Sequence, residues 1–504
     1  MATSPSQRAY RAPCPGCGAP VEFRSAQSTH AVCGYCQSTV VRQGEVLSRL
    51  GKMAELFDDH SLLQLGASGR WQSQAFTLVG RLQYRYAQGT WTEWQALLDD
   101  GRTATLSEDN GAYVFSETLQ TQRAMPPAEN FKLGATTAIN GKPYVVASNT
   151  PVSLIAAQGE LPKLPELGQE FVVVELRSDS GEVVSVDYRL QPPEVSRGRA
   201  ATLQELAMTG LKDESAKNEQ GRQFDCPQCG APVAVQLGGS KSITCGSCHA
   251  LIDLSSGVGG ELAHAMQDEP VQPLIPLGKT GTLQGASWQV VGFQHRMGHE
   301  LDDPDEHFGW DEYLLYNAER GFAFLVDSSE GWSLVKPLTG APTLSADGNT
   351  ANYMGTRYAH KYSYNAETTY VEGEFYWQVQ RGQTTYNRDF AKAKSLLSME
   401  QTPGEITWSS GSQIASDTVA QAFGLNDRKD ALQRNDASPV SSSKGSGCLT
   451  IIVVLVILLV LVLLLSRCSR CDPRVENCSA SSSGSSSRSS GGSFGGFSSG
   501  GGHK

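Results

Sequence analysis

Hydrophobic and polar residues alternate with a period of two over much of this 504-residue chain. Such runs, bounded by Gly, Asp and Asn, predict strands. In the first half they cover residues 76–86, 91–98, 113–116, 144–147, 171–176 and 183–188. In the second half they cover residues 288–294, 313–316, 322–326, 332–335, 370–380 and 406–409. Short strands joined by close turns predict a mainly β fold, either an antiparallel sandwich or a partly open barrel.

Three segments change to the three- and four-residue spacing of amphipathic helices. The first is 45–58, where the apolar positions are Val46, Leu47, Leu50, Met53, Ala54 and Phe57. The others are 200–211 and 417–425. We therefore expect a connecting helix after the first cysteine-rich segment and a short helix at each of the other two places.

One apolar run is long enough to suggest a membrane. It starts at Leu449, ends at Leu465 and contains only Leu, Ile and Val apart from Thr450. As a helix it would be about 25 Å long, against a hydrocarbon core of about 30 Å. We predict a transmembrane helix over 448–466, preceded by a polar tether and followed by a Ser- and Gly-rich tail that cannot bury a core.

Eight cysteines form two sets with the same spacing, C-x2-C, fifteen residues, C-x2-C. They are Cys14, Cys17, Cys33 and Cys36, and then Cys226, Cys229, Cys245 and Cys248. This spacing is typical of four-cysteine zinc ribbons, although disulfides or unrelated thiols are the alternatives. Four thiolates leave no coordination position for water or substrate, so we expect two structural zinc ions. The Gly that follows each Cys-Pro-x-Cys suits a backbone position with positive φ.

The cysteine repeat belongs to a longer duplication with an offset of 212, which runs without a gap from Cys14 to Gly80. Gly66 then corresponds to Gly278, and we expect these two residues to occupy equivalent turns of domains with one strand order. The predicted layout is ribbon 1–44, helix 45–58, β domain 60–195, helix and linker 196–221, ribbon 222–256, β domain 272–425, linker 426–447, membrane helix 448–466 and disordered tail 467–504.

Several segments of the two β domains resemble a known bacterial family. They are the Leu277-Gly278 pair, the 288–292 strand, the 310–316 segment WDEYLLY, the 372–377 segment EGEFYW and the 405–409 segment EITWS. The chain resembles domain-of-unknown-function family 4178 over residues 60–195 and 272–425. The first copy departs from the pattern, because the 159–162 segment GELP stands where the second copy has GEFY.

The family resemblance carries expectations of its own. It implies zinc ribbons beside the domain, frequent membrane attachment and no established activity. It also implies protein partners from a polyamine-related system, of aminopropyltransferase type, or from a small membrane-protein system.

Charge and motifs narrow the functional classes. The formal net charge is −11, and the acidic part of the chain lies between a mildly basic first ribbon and a mildly basic tail. The negative charge of the central part disfavours nucleic-acid binding. If the protein did bind nucleic acid, the phosphate contacts would be Arg8, Arg11, Arg24 and Arg42. No nucleophile elbow, phosphate loop or metalloprotease motif occurs, so we expect no enzyme.

Two clusters of the second domain were weighed as sites. The aromatic row Tyr370, Phe375, Tyr376, Trp377 and Tyr386 is predicted to be core, with an enzymatic or ligand site there as the alternative. The histidines His295, His299 and His307 are predicted to belong to an acidic surface loop, with a metal or acid-base site as the alternative.

We therefore predict a membrane-anchored cytosolic scaffold or binding protein, with a membrane-tethered nucleic-acid binder as the alternative. No apolar signal segment follows Met1, and thiolates held on metal suit a reducing compartment. Positively charged residues after the apolar run favour an orientation with the tail in the cytoplasm. The opposite orientation is favoured because only the short tail, and not the repeats, then has to cross the membrane. We expect a single-pass protein of the bacterial inner membrane, with the repeats in the cytoplasm and the tail outside. Cys468, Cys471 and Cys478 have no assigned role.

Overall fold

The computed structural model describes most of the chain up to Arg434. The described residues are 10–25, 27–43, 46–52, 61–87, 89–109, 112–212, 222–237, 240–254, 262–267, 270–301, 307–318, 320–379 and 381–434. Almost all regular structure in them is antiparallel β-sheet, as the alternating pattern predicts.

The first half contains fifteen strands. They are β1 Tyr10–Pro13, β2 Pro20–Phe23, β3 His30–Val32, β4 Ser38–Gln43, β5 Val46–Lys52, β6 Ser68–Trp71, β7 Gln74–Tyr86, β8 Gly89–Leu98, β9 Thr103–Asp109, β10 Ala112–Thr118, β11 Thr136–Ile139, β12 Lys142–Leu161, β13 Glu170–Arg177, β14 Glu182–Asp187 and β15 Glu194–Ala201. A 3-10 helix covers Ala128–Asn130.

The second half repeats this series with one extra strand, β26. Its strands are β16 Arg222–Asp225, β17 Pro232–Val235, β18 Ser242–Thr244, β19 Leu251–Asp253, β20 His264–Ala265, β21 Thr280–Leu283, β22 Ala286–Glu300, β23 His307–Asn317, β24 Gly321–Ser328, β25 Gly331–Leu338, β26 Thr343–Leu344, β27 Thr350–Tyr353, β28 Thr356–Phe375, β29 Thr385–Lys392, β30 Ser395–Gln401 and β31 Ile406–Ile414. Its helices are α1 Ser416–Ala422, a 3-10 turn Asn426–Arg428 and α2 Lys429–Leu432.

Each β domain is a closed eight-stranded barrel. In the first, the ring runs β7-β8-β9-β10-β15-β14-β13-β12, and a pairing between β12 and β7 closes it. The second ring runs β22-β23-β24-β25-β31-β30-β29-β28, and β28 pairs with β22. The barrel alternative was therefore right, but the barrels are closed. Closure removes the exposed edges that an open sheet would leave.

The two barrels are structural copies, as the duplication predicts. Their strand orders correspond position by position. Gly66 and Gly278 both have positive φ, 87° and 77°. Each donates its N–H to the second strand after it, Gly66 to the carbonyl of Leu78 in β7 at 2.8 Å and Gly278 to that of Val290 in β22 at 2.7 Å. The turns are therefore equivalent.

Apolar residues cover the outside of the barrels as well as their interiors. Trp94, Leu106 and Phe115 lie on the outer wall of the first barrel beneath Leu63 and Leu206. In the second barrel, α1 and α2 cover a corresponding outer cluster that contains Tyr313 and Trp332. These outer layers explain why the strands read as nearly continuous apolar runs.

Two predicted helices are wrong. Residues Val46–Lys52 form strand β5, which pairs antiparallel with β4 from Val46 opposite Gln43 to Lys52 opposite Ser38. The hairpin partner supplies hydrogen bonds that override the helical spacing. The rest of the predicted helix up to Asp58 lies outside the described residues. In 200–211, β15 continues to Ala201, and a single turn follows in which Leu206 N–H bonds to Thr202 O at 3.0 Å.

The C-terminal end of the described chain differs from the predicted linker. Helix α1 confirms the short helix expected at 417–425, but residues 426–434 are also ordered against the second barrel. The indole of Trp332 donates to Leu432 O at 2.8 Å, and Arg434 forms an ion pair with Asp327 at 2.6 Å. Among the described residues, no helix has the length and apolarity needed to cross a membrane. The apolar run from Leu449 to Leu465 and the tail lie outside them.

Candidate metal centres

The eight predicted cysteines come together as two clusters of four. Within each cluster all Sγ atoms lie within 4.8 Å of one another. Cys14 and Cys36 are 3.7 Å apart, as are Cys17 and Cys33. In the second cluster the corresponding distances are 3.8 Å and 3.7 Å. A tetrahedral ion with metal–sulfur bonds of about 2.3 Å requires sulfurs roughly 3.8 Å apart, so both clusters fit one such ion.

Two hairpin turns position each cluster. In the first ribbon, the β1–β2 turn carries Cys14 and Cys17, and the β3–β4 turn carries Cys33 and Cys36. Gly18 takes φ 79° and donates to Cys14 O at 2.8 Å, while Gly230 takes φ 73° in the second ribbon. The glycine prediction is confirmed: this residue lets the chain turn tightly behind the sulfurs.

Hydrogen bonds and burial move the pKa values of the thiols in both directions, upward for Cys17, Cys229 and Cys248 and downward for Cys36 and Cys245. The hydroxyl of Ser38 lies 3.2 Å from Cys36 Sγ and lowers the pKa of that thiol to about 6. Burial raises the pKa of Cys245, but the backbone N–H groups of Cys248 and Ser247 outweigh it and bring the pKa to about 7. None of the eight is in a disulfide. The donor set is therefore suited to a closed metal site.

A buried glutamate fastens each ribbon to its barrel. Glu160, at the end of β12, accepts backbone N–H bonds from Arg24 and Ser25, both at 2.5 Å. Its counterpart Glu374 accepts the N–H groups of Gln236 at 2.7 Å and Leu237 at 2.9 Å. Ser240 adds a hydroxyl bond to Glu374 at 2.7 Å. Both copies share a Gly-Glu pair in this segment, Gly159-Glu160 in the first and Gly373-Glu374 in the second. Its glutamate attaches the ribbon to the barrel.

The ribbons also continue the barrel sheets. Strand β3 pairs with β12, from Val32 opposite Gly159 to His30 opposite Leu161. In the second copy β18 pairs with β28, with Ile243 opposite Glu374. Each ribbon is therefore an extension of the longest strand of its barrel.

Among the described residues, the two cysteine clusters are the groups of three or more side chains that could hold a metal ion. Phe375, Tyr376 and Trp377 are buried in one apolar cluster of the second barrel, and Tyr370 is buried in the cluster that α1 covers, which confirms the core prediction for these four; Tyr386 is only partly buried. The surface-loop prediction is wrong for the three histidines, because the β22–β23 hairpin extends through them: His295 lies in β22 and bonds to Asp311 at 2.7 Å, and His299 pairs with His307 across the hairpin. Among the candidate phosphate contacts, Arg42 lies over the rings of Tyr10 and Phe23.

The sequence did not reveal the charged cluster inside the second barrel. Arg296 bonds to Glu400 at 3.0 Å and lies 3.9 Å from Glu312, all of them buried. Burial opposes the charge of the guanidinium, but Glu400 and Glu312 outweigh burial and raise the pKa of Arg296. Burial raises the pKa of Glu400 to about 7. These residues are separated by up to about a hundred positions, and no local spacing connects them.

The fold and the clusters define a class of protein: two units with a four-cysteine cluster, each continuous with a closed β-barrel. The profile of the family Domain of unknown function (DUF4178) matches residues 64–202 and 276–416. The chain belongs to this family, and both copies of the domain are present. No curated protein and no solved structure matches the chain.

Proposed function

We propose that this protein is a non-enzymatic binding protein, tethered to a membrane, whose two ribbons hold structural zinc. The observation that carries the proposal is the closed set of four sulfurs in each ribbon, fastened to a barrel by a buried glutamate. Zinc is the ion that four thiolates in a C-x2-C pair arrangement select. Such a site organises a fold and leaves no position for a reacting group.

The tether is the apolar run from Leu449 to Leu465, with the repeats in the cytoplasm and the tail outside. The described residues end at Arg434, so residues 435–447 would connect them to the membrane helix. A tethered double barrel presents two large surfaces close to a membrane, which suits a scaffold for protein partners.

The zinc part of the proposal is tested by Cys229→Ser in the full chain. Metal content is expected to fall from two zinc ions per chain to one, because three thiolates hold the ion far more weakly than four. The second barrel is expected to stay folded, since its core does not include the cysteines. Metal analysis and tryptophan fluorescence measure the two effects. Cys478→Ser, outside both clusters, is the matched control and should keep two ions. No bound zinc in the wild-type chain would contradict the proposal.

The membrane part is tested by fractionation. The full chain is expected to sediment with membranes and to be released by detergent but not by high salt. A chain that ends at Arg434 should remain in the supernatant. Protease added to spheroplasts should cut the tail and spare the repeats; degradation of the repeats with a protected tail would reverse the orientation.

A further inference from the structure

The first barrel encloses a cavity of about 390 Å3. Most of the side chains that line it alternate along seven of the eight strands, for example Glu93 and Gln95 on β8 and Ser185 and Asp187 on β14. Trp94, which lies between Glu93 and Gln95, belongs to an outer cluster. The cavity is therefore the interior of the barrel. Eight-stranded barrels have interiors that are either filled by side chains or able to hold one small ligand.

The second barrel shows what fills an interior of this kind. When Gly80 is aligned with Gly292, the strand registers match the interior positions of the two barrels. Thr105, Ser107 and Ser116 of the first barrel then correspond to Phe324, Val326 and Val335 of the second. Gln95 likewise corresponds to Leu314. Small polar side chains thus replace bulky apolar ones, which opens space and adds hydrogen-bonding groups.

The aromatic side chain that closes the interior of the second barrel is also missing from the first. The ring centroid of Trp377 lies 5.0 Å from that of Phe375 and 5.9 Å from that of Phe324. Counting from the aligned glycines Gly159 and Gly373, the residue at the position of Trp377 is Lys163. Lys163 lies on the cavity lining, where its side chain is largely exposed. A solvated lysine therefore stands where the second barrel has an indole.

Each carboxylate that lines the cavity already has a partner in the protein. The ion pairs are Asp187 with Arg189 at 2.9 Å, Glu194 with Lys163 at 3.0 Å and Glu117 with Arg102 at 3.0 Å. Glu93 accepts the indole N–H of Trp91 at 3.3 Å. The guanidinium of Arg189 also bonds to the hydroxyl of Tyr84. A charged ligand would lose its hydration here without gaining an unpaired counter-ion, so the cavity favours a neutral one.

The hydroxyl groups of the lining, in contrast, are available to a ligand. Ser107 is only 3% exposed, lies on the cavity and bonds through its hydroxyl to no other described residue. The hydroxyls of Thr105, Ser185 and Ser196 also line the cavity without such a bond to the described part of the chain. Buried polar groups are normally hydrogen-bonded, and a hydroxyl can both donate and accept. These side chains therefore suit a ligand that itself carries groups of both kinds.

Polar and apolar lining residues come from opposite halves of the ring of strands. The four hydroxyls lie on the neighbouring strands β9, β15 and β14, which β10 joins into one half. Leu82, Tyr84, Trp91, Phe171 and Val173 lie on β7, β8 and β13 in the other half. The cavity thus has a hydroxyl wall facing a wall of aromatic and aliphatic side chains. A ligand that matches it needs hydrogen-bonding groups along one edge and carbon atoms on a face.

We propose that the cavity of the first barrel binds one neutral sugar, a hexose in its pyranose form. Each hydroxyl of a sugar both donates and accepts, which matches the side chains of Thr105, Ser107 and Ser185. The C–H face of the ring contacts the wall that contains Tyr84 and Trp91, and the absence of charge leaves the ion pairs of the lining intact. This inference rests on the proposed binding function and adds the chemical class of a ligand.

The test uses the full chain in a detergent without a sugar head group, and titration calorimetry with glucose, galactose and mannose. The amino sugar and the uronic acid of the same hexose have nearly its shape and carry a charge, so they are the matched control ligands. We expect one of the hexoses to bind at one molecule per chain, at least about tenfold more tightly than either of its charged counterparts, because a charge is costly to desolvate. No binding of the three hexoses, or equal affinity for a hexose and a charged counterpart, would overturn the proposal.

Variants locate the site. Ser107→Ala is expected to weaken binding of the hexose at least about fivefold, because one hydroxyl of the bound sugar loses its partner. Ser153→Ala is the matched control, since Ser153 lies on β12 outside the cavity lining, and its affinity should stay within about twofold of the wild type. Thr105→Phe copies the second barrel and should abolish binding by filling the cavity. Unchanged affinity in Ser107→Ala would overturn the proposal even if Thr105→Phe fails to fold.

The outcomes separate this inference from the proposed function. A chain that keeps two zinc ions and sediments with membranes but binds no hexose would refute only the ligand assignment. A chain without zinc, or absent from membranes, would refute the proposed function whatever the cavity binds.

Discussion

At the scale of single residues, glycine decides how closely the ribbon-bearing strand approaches its neighbour. Gly373 has φ 94°, and a Cβ atom placed on it would lie 2.3 Å from Val291 O. Its counterpart Gly159 has φ 75° and would place a Cβ 2.4 Å from Val79 O. Both positions precede the docking glutamate. The Gly-Glu pair therefore combines a close backbone contact with a buried carboxylate.

We expect Gly373→Ala to destabilise the second barrel by about 2–4 kcal/mol, because the methyl group meets a backbone oxygen and φ is unfavourable. Urea unfolding measures this change. Gly285→Ala is the control, since Gly285 has φ 75° and open space around it, so that only the smaller conformational cost of about 1 kcal/mol applies. Equal effects of the two substitutions would contradict the close-contact explanation.

The stability of the second barrel is expected to depend on pH through the buried carboxyl group of Asp389. Burial raises the pKa of Asp389 to about 7, although Ser398 and Tyr364 bond to its carboxylate. The folded state thus holds a proton that the unfolded chain loses near pH 4, so stability falls as pH rises from about 4 to about 7 and is level above that range. Asp389→Asn should remove this contribution and stabilise the barrel at pH 8 by on the order of 1–3 kcal/mol.

Unfolding of both proteins in urea at pH 5, 6, 7 and 8 checks the sign. The variant should gain most at pH 8 and least at pH 5. A gain that is the same at every pH, or largest at pH 5, would show that Asp389 is ionised throughout.

At the scale of elements, the 20-residue strands β12 and β28 connect the parts of each copy. Each pairs with two barrel neighbours and, at its C-terminal end, with a ribbon strand. Bulges between Leu154 and Ala156 in β12 and between Thr368 and Tyr370 in β28 let these long strands follow the barrel curvature. One strand thus carries both the barrel wall and the ribbon attachment.

Glu374→Gln should loosen the attachment without removing the metal site. The amide has one acceptor oxygen for the bonds that two carboxylate oxygens now accept, so at least one buried donor loses its partner, which costs about 1–3 kcal/mol. We expect faster amide exchange in 232–244 and faster zinc loss to a chelator, with two ions still bound at the start. Glu372→Gln, on the same strand but partly exposed, is the control. Unchanged exchange and zinc loss in Glu374→Gln would mean that the sheet pairing alone holds the ribbon.

At the scale of the whole molecule, the two barrels contact each other through hairpins and outer walls. Ala341 N–H donates to Ser178 O at 3.0 Å, and Met354 N–H donates to Asp179 O at 2.9 Å. Leu133 and Val145 of the first barrel pack against the outer cluster that contains Phe390 and Trp408. Both backbone and apolar contacts therefore join the copies into one unit of residues up to about Asn435.

Gly340 lies in this junction, where an added Cβ would be 2.8 Å from Ser178 O and 2.8 Å from the ring of Tyr353. We expect Gly340→Val to separate the hairpins while each barrel stays folded. Calorimetry should then show two unfolding transitions in place of one, and small-angle scattering a larger radius of gyration. A single transition at an unchanged temperature would contradict this account of the junction.

The sequence alone determined the features that depend on local spacing. The eight cysteines, the glycines beside them and the offset of 212 all lie within short segments, where turn geometry and metal chemistry restrict the residues. Strands such as β7 and β13 were likewise predicted, because they are apolar runs of strand length bounded by turn residues. The apolar run from Leu449 to Leu465 remains a prediction of this kind.

Tertiary structure alone decided the features that depend on pairing between distant strands. The pairing of β12 with β7 closes the ring, so the first domain is a barrel and not a sandwich. Pairing with β4 makes Val46–Lys52 a strand, although its apolar spacing is that of a helix. The difference between a filled and an open interior also arose this way, because Thr105 and Lys163 face one cavity only once the ring is closed. Local pattern reports which face of a strand is buried, whereas only the closed register shows which side chains share an interior.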